Sequence, residues 1–401
     1  YKKMVKLRPR QDVHAYPLSG ELVLFSGESG RLYRANATAA LIWHGLLTGL
    51  KHEDIVALLN EAFNISKDKI TLDLDEILSQ WQSNGLLDSH PLPFEAFSHS
   101  TDDHLPSAEY SGTIPPPNQK SIETYYRILD SRIALRLPGT EEAQLVHPVI
   151  AHLNTPELTR CNVNLEVRRS TDCSVLVGDG APIDWCVDDR GVAPLVHAKL
   201  LVLAYELSNC LTGIHAAAVV WKDHCILMPA LSGSGKSTLT GALVGSGFQY
   251  CSDDMVLLTQ KPGKMRPATV SIGLKSGSWD LLSKEHPMLA SLPTHIRNDG
   301  KCIRYLPPPT NNLTNTPSTM LTISHIVFPS YQSKINAAMQ PISQAEGLCR
   351  IAEAGYDIRG GLSFARVQQL IVWIAKMPCY VFLYSNLGKA VDAVKSLLRE
   401  S

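Results

Sequence analysis

The sequence predicts an α/β domain built around a phosphate-binding loop, with a small α+β module ahead of it. Three observations carry this. The run "ALSGSGKST" (230–238) lies between a short apolar stretch and a helical stripe. Two acids, Asp253 and Asp254, interrupt the next apolar stretch. The segment "DSHPLPFEAFSHSTDDHLPSAEYSGTIPPPNQK" (88–120), rich in Pro, Ser, His and Asp, shows no sustained period and reads as a linker. The division is therefore a module over 1–88, a linker over 89–120, and a larger part made of 121–194 and 195–401.

In the module, "ELVLFSGESGRLYRAN" predicts two strands, Leu22 to Phe25 and Arg31 to Arg34, around a Gly/Ser turn. "NATAALIWHGLLTG" then sets Leu41, Ile42, Trp43, Leu46 and Leu47 at helical spacing, with Asn36 or Thr38 as N-cap. A second stripe follows in "KHEDIVALLNEAFN", through Ile55, Leu58, Leu59 and Phe63. "LDLDEILSQWQSNGLL" supplies a third helix that stops at Gly85. With no polar cluster suited to catalysis, the module reads as a binding element.

The order of these elements resembles the PqqD-like family, the leader-peptide recognition elements of ribosomal-peptide modification systems. That resemblance implies a small winged-helix-like α+β domain that takes up a precursor's leader as an added strand. Main-chain hydrogen bonds would give affinity and alternate side-chain pockets specificity. The implied groove lies between Leu32, Tyr33 and Arg34 on the strand and Leu41, Trp43 and Leu47 on the helix. A plain core role for Leu32, Tyr33 and Trp43 is the competing reading.

Residues 121–194 mix short strands with one helix and read as the N-terminal lobe of the larger part. A long apolar helix, "PLVHAKLLVLAYELSNCL", leads from there into His215. "DHCILMP" (223–229) predicts a buried strand, and "KSTLTGALVGSG" a helix with Leu239, Ala242 and Leu243 on its stripe. The strand–loop–helix context turns the G-x-x-x-x-G-K-[ST] pattern into a mechanism: backbone N–H groups and the helix dipole receive phosphate. Ala230 stands where the pattern has its first glycine, a place at a strand end where a methyl is tolerated if φ is negative. Adjacent acids inside an apolar run must be solvated, paired or metal-bound, since bare burial is costly. A long soft stretch, "RYLPPPTNNLTNTPSTM" (304–320), reads as a surface loop.

The run "IHAAAVV … ALSGSGKST … GFQYCSDDMVLL" resembles the HPr kinase/phosphorylase family. The fold implied is an α/β P-loop kinase domain, HPr-kinase-like. Two departures stand out: Ala230, and "VSIGLKSGSW" where that family carries a glycine-rich signature. The resemblance implies ATP and Mg²⁺ as cofactors, held by Ser232, Gly233, Ser234, Gly235, Lys236, Ser237 and Thr238. Lys236 would reach the β and γ phosphates, and Ser237 would hold the metal. Asp253 and Asp254 would divide the roles of general base and metal ligand. Strand alternation favours Asp253 as base, oriented by His215, with Asp254 on the metal. A further cation is expected at the γ-phosphate, with Lys275, Arg304 and Arg359 as candidates.

Composition excludes other classes. The 401 residues are 44% hydrophobic and 19% charged with net charge −1, so nothing drives the chain toward nucleic acid or an anionic membrane. No apolar run reaches the roughly 18 residues of a membrane span, and the opening "YKKMVKLRPRQDVHAYPL" lacks the apolar core of a secretion signal. Nine cysteines without C-x-x-C pairs suggest reduced thiols in the cytoplasm. The expected activity is an ATP-dependent peptide kinase acting on a Ser or Thr of a ribosomal precursor. The alternatives are a nucleotide-sensing protein that presents the leader to another enzyme, or a kinase for a small molecule such as an amino acid. HPr kinases are hexameric, so homo-oligomerisation is open, although no residue in the sequence requires it.

Overall fold

A computed structural model describes residues 7–88, 110–118, 120–156, 160–309, 320–355 and 361–399. The described elements fall into two compact units that do not follow the order of the chain.

The first unit begins with an antiparallel sheet, β1 (Val13–Leu18), β2 (Glu21–Ser26) and β3 (Arg31–Ala35), in that spatial order. β1 lay outside the two strands expected from sequence. A two-residue turn makes it: Ser19 (φ 53) and Gly20 (φ 78) are both left-handed, the geometry that matches strand twist in a tight hairpin. Three helices follow, α1 (Ala37–Thr48), α2 (His52–Phe63) and α3 (Lys67–Ser83). Asn36 caps α1, its side-chain oxygen accepting the Ala39 N–H at 2.9 Å. Gly85 follows α3 with φ 68, where a left-handed residue lets the chain leave the helix. One face of the sheet and the helices share a core in which Trp43 meets Trp81 edge to face at 5.2 Å.

The second unit opens with a five-stranded sheet, β4 (Ile122–Ile128), β5 (Ser131–Leu137), β6 (Val163–Arg169), β7 (Ser174–Gly178) and β8 (Ala181–Cys186), in sequential order. α4 (Thr140–Ile150) and α5 (Val192–Glu206) contribute to the same core. That core also takes in Met255, Leu257, Ile303 and Tyr305, so the lobe over 121–194 shares one interior with the loop-bearing part of the chain.

Next come β9 (Thr212–Trp221), β10 (His224–Pro229), α6 (Lys236–Gly245), β11 (Gln249–Ser252) and β12 (Met255–Leu258). The acidic pair therefore sits in a break between two short strands, not within one. β13 (Lys264–Ala268), β14 (Ile272–Lys275), α7 (Trp279–Leu282), β15 (His295–Ile296), β16 (Cys302–Leu306), β17 (Leu321–Tyr331) and β18 (Ala338–Ile342) continue the chain. Then α8 (Gln344–Glu353), α9 (Phe364–Ile374), β19 (Cys379–Tyr384) and α10 (Leu387–Leu397) complete it. The central sheet is mixed. β10 runs antiparallel to β9 and parallel to β17, and β17 runs parallel to β19.

α8 and α9 belong to the first unit, although they lie far downstream of its sheet, in the stretch assigned from sequence to the kinase part. Alternation explains how they fit. Leu22 and Leu24 face α1–α3, which turns the buried Val23 and Phe25 to the opposite face. There Phe364 of α9 packs edge-on against Phe25 at 5.1 Å. Arg34 of β3 bonds Glu346 of α8 at 2.6 Å and Glu21 of β2 at 2.9 Å. No periodicity in a short strand pair announces a cover supplied from so far along the chain. Within the described residues no helix is long and apolar enough to cross a membrane.

Candidate functional site

The glycine-rich loop joins β10 to α6, as the apolar run and the helical stripe suggested. Left-handed backbone occurs at Gly233 (φ 84) and Gly235 (φ 88). Ala230 is not among the positive-φ residues, so its methyl costs nothing there. Its backbone instead clamps His215: the Ala230 N–H donates to the His215 carbonyl at 3.2 Å. In return the His215 Nδ1 lies 2.8 Å from the Ala230 carbonyl, an acceptor only, so Nδ1 carries the proton. Nε2 is thereby turned toward Asp254, 3.7 Å from its Oδ1, an ion-pair distance.

The two acids have different surroundings. Asp253 is fully buried, and Lys236, itself 4% exposed, donates to both its carbonyl and its Oδ1, the latter at 3.2 Å. Asp254 keeps about a quarter of its side chain (27%) exposed and lines a cleft. Burial pushes the Asp254 carboxyl up, but His215 beside it and the charges of Lys236 and His197 outweigh this and hold it far below the ordinary range.

That cleft, about 780 Å³, gathers His215, Ser232, Gly233, Ser234, Gly235, Lys236, Ser237, Thr238, Asp254 and Lys275. Two of the residues expected at the site are not among those that line it. Asp253 lies beneath it, paired with Lys236. Arg304 points elsewhere: it donates to Thr294 and to the Leu289 carbonyl and lies 4.1 Å above the Trp279 ring. Its strand neighbours Ile303 and Tyr305 line the cleft, so alternation along β16 sends Arg304 to the other face. Arg359 lies outside the described residues. Lys275 holds its place, its ammonium 3.3 Å from Ser232 Oγ.

Sequence reading missed Arg297, which lines the cleft from the turn between β15 and β16. A signal existed: "RNDGK" carries the Asp-Gly of a tight hairpin between His295–Ile296 and Cys302–Ile303, and Gly300 takes φ 77. A basic residue at the rim of such a hairpin was the missed candidate.

The chemistry of the donor set fits a magnesium–nucleotide complex. Among the described residues Ser234 Oγ, in the loop, is buried with no hydrogen-bond partner, as is Asp253 Oδ2 beneath it beside Lys236. A Cβ at Gly235 would run into the Tyr384 hydroxyl, so only glycine shapes the loop there.

In the first unit, the residues expected to line a peptide groove separate. Trp43, 1% exposed, is core against Trp81, because the α1 stripe turns it inward. Tyr33 and Leu41 pack partly buried against the same core. Leu47 is exposed, Leu32 is half-buried, and Arg34 is engaged by Glu21 and Glu346. β3 pairs only with β2 among the described strands, so it is an edge strand.

Among known proteins, residues 21–87 match the family model of coenzyme PQQ synthesis protein D (PqqD), and this part of the chain is a PqqD domain. Solved structures similar to this chain include TbiB1 in complex with the TbiA(beta) leader peptide, at 21% identity, TM-score 0.20, over 21% of this chain and 99% of that one. Lasso peptide synthetase B1 complexed with the leader peptide matches at 25% identity, TM-score 0.21, over 21% of this chain and 100% of that one. The Hpr(Ser) kinase/phosphatase from Coxiella burnetii matches at 14% identity, TM-score 0.22, over 47% of this chain and 99% of that one. No curated protein matches the chain by sequence.

Proposed function

We propose that the chain is an ATP-dependent kinase that phosphorylates a Ser or Thr hydroxyl of a ribosomally made precursor peptide, whose leader is held by the PqqD domain. The observation that supports it best is the His215–Asp254 pair, which shares one cleft with Lys236 and Ser237. A nucleotide sensor needs no base at that position. Mg·ATP, when bound, supplies the γ-phosphoryl group, with ADP leaving.

The protein's part is positioning and charge. Backbone N–H groups of Gly233 to Ser237 cradle the phosphates, and Ser237 offers its hydroxyl to the metal. Within the described residues no three His, Cys, Asp or Glu side chains form a metal cage, so magnesium would draw most of its ligands from phosphate and water. Lys236 moves from Asp253 to the phosphates. Asp254 takes the proton of the acceptor hydroxyl as its oxygen bonds to phosphorus and the bond to the departing ADP oxygen breaks. His215 holds Asp254 ionised and aimed. This departs from the roles that strand alternation suggested, because the strand is interrupted between Ser252 and Met255 and His215 meets Asp254. Asp253 is the counter-charge that parks Lys236.

The leader reading rests on the edge strand β3 and on the PqqD match. A tethered leader raises the concentration of the acceptor at the cleft. The test is incubation of the full chain with Mg·ATP and the short precursor encoded beside its gene, read by intact mass. A gain of one phosphate, lost when the leader is deleted, is expected. An unmodified precursor leaves the presenting-protein reading in its place.

A further inference from the structure

We propose that Tyr331, at the end of β17, is the platform on which the nucleotide's base stacks. The inference rests on the reading of residues 230–238 as a phosphate cradle and adds the subsite for the rest of the ligand.

The direction of the ligand follows from the order of strands. β10, which feeds the loop, has β9 on one side and β17 on the other. The reacting groups are on the β9 side: His215 is on β9, and β12, which follows Asp254, pairs with β9 at Met255 and His215. A nucleotide presenting its terminal phosphate to them must extend its base to the opposite side. That side is formed by the carboxyl ends of β17 and β19, which run parallel to β10 and to each other. Ligands of α/β sheets lie beyond such ends.

Two tyrosines close that side. Tyr331 and Tyr384 are register partners at the ends of β17 and β19, with ring centroids 5.9 Å apart in an edge-to-face arrangement. Tyr384 is buried, and its hydroxyl donates to the Gly235 carbonyl at 3.0 Å. Tyr331 bonds the loop through its backbone, its N–H donating to the Ser234 carbonyl at 2.9 Å. The residue is 54% exposed. Tyr384 thus has a structural task, whereas the Tyr331 ring has a fixed position beside the cradle and an open face. An aromatic face held this way suits a nucleobase, which every base can use whatever its edge pattern.

The experiment is calorimetric titration of the full chain and of its Tyr331→Ala and Tyr331→Phe variants with two probes, Mg·ATP and magnesium tripolyphosphate, which lacks the base. Tyr331→Ala should bind ATP on the order of tenfold more weakly while tripolyphosphate binding stays within about twofold, and Tyr331→Phe should match the parent. Equal loss for both probes would show that Tyr331 acts through the shape of the loop and overturn the proposal. So would unchanged ATP binding in Tyr331→Ala, with the cradle reading still standing. A parent chain that binds neither probe would sink the cradle and this subsite together.

Discussion

Ala230 and His215 bond each other twice, the Ala230 N–H to the His215 carbonyl at 3.2 Å and the His215 Nδ1–H to the Ala230 carbonyl at 2.8 Å. Both bonds use the backbone of residue 230, so its side chain matters only through φ and volume. Ala230→Gly should therefore retain phosphoryl transfer to within a few-fold. Ala230→Val, with the site 7% exposed, should lower kcat by crowding the clamp, since overpacking a tight site costs about 1–3 kcal/mol. Steady-state kinetics on the two variants distinguishes these outcomes. A glycine variant much faster than the parent would mean that the natural loop is misshapen.

Lys236→Ala should abolish transfer, and the structure adds a second effect. It leaves the fully buried Asp253 without its counter-charge, which breaks a buried pair at a cost of about 3–5 kcal/mol. Urea unfolding should show that loss, and Lys236→Ala combined with Asp253→Asn should recover most of it. If the single variant is as stable as the parent, the pair carries no structural weight.

The acids should fail differently. Asp254→Asn should bind Mg·ATP normally and transfer slowly, by roughly 10² to 10⁴, the contribution of a general base. Its carboxyl is held far below the usual range, so the acid limb of the kcat profile should not belong to it. Asp253→Asn should act mainly on nucleotide affinity, through Lys236. Slow transfer confined to Asp253→Asn would restore the opposite assignment.

Stability should fall on acidification through His152. Its Nε2 faces the Thr269 carbonyl at 3.2 Å, its Nδ1 is buried without a partner among the described residues, and burial pushes its pKa down to about 4. Below about pH 6.5 the unfolded chain takes up a proton that the folded chain refuses, so stability drops as pH falls from about 6.5 toward 4, by up to about 3 kcal/mol. His152→Gln keeps a donor for Thr269 and cannot titrate. Urea midpoints across that window should slope less in the variant, and an identical slope would assign the effect elsewhere.

Phe25 and Phe364 should prove coupled. Phe25→Ala is expected to cost about 3–5 kcal/mol by opening the core of the first unit. The cycle with Phe364→Ala should return an interaction of about 1 kcal/mol for the edge-on pair. Additive losses would separate α9 from the PqqD domain. The same packing means that a chain cut near residue 120 would strip α8 and α9 of the sheet they cover. Leader dependence is therefore better read by deleting the leader than by deleting the domain.

The sequence by itself determined the local features. Strand, glycine loop and helix over 224–245, the Asn36 cap, the stop at Gly85 and the helical stripes of the PqqD domain all depend on residues a few positions apart. Periodicity and backbone chemistry report on that range. Tertiary structure decided whatever depends on which face meets which partner. The clamp of His215 by Ala230, 15 residues on, gave His215 to Asp254, while Lys236 pairs with the buried Asp253. Alternation along β16 turned Arg304 away from the cleft, and the turn between β15 and β16 placed Arg297 at its rim. The cover that α8 and α9 lay over β1–β3 joins segments far apart in the chain, and burial of Phe25 rewards that contact only once the chain has folded back.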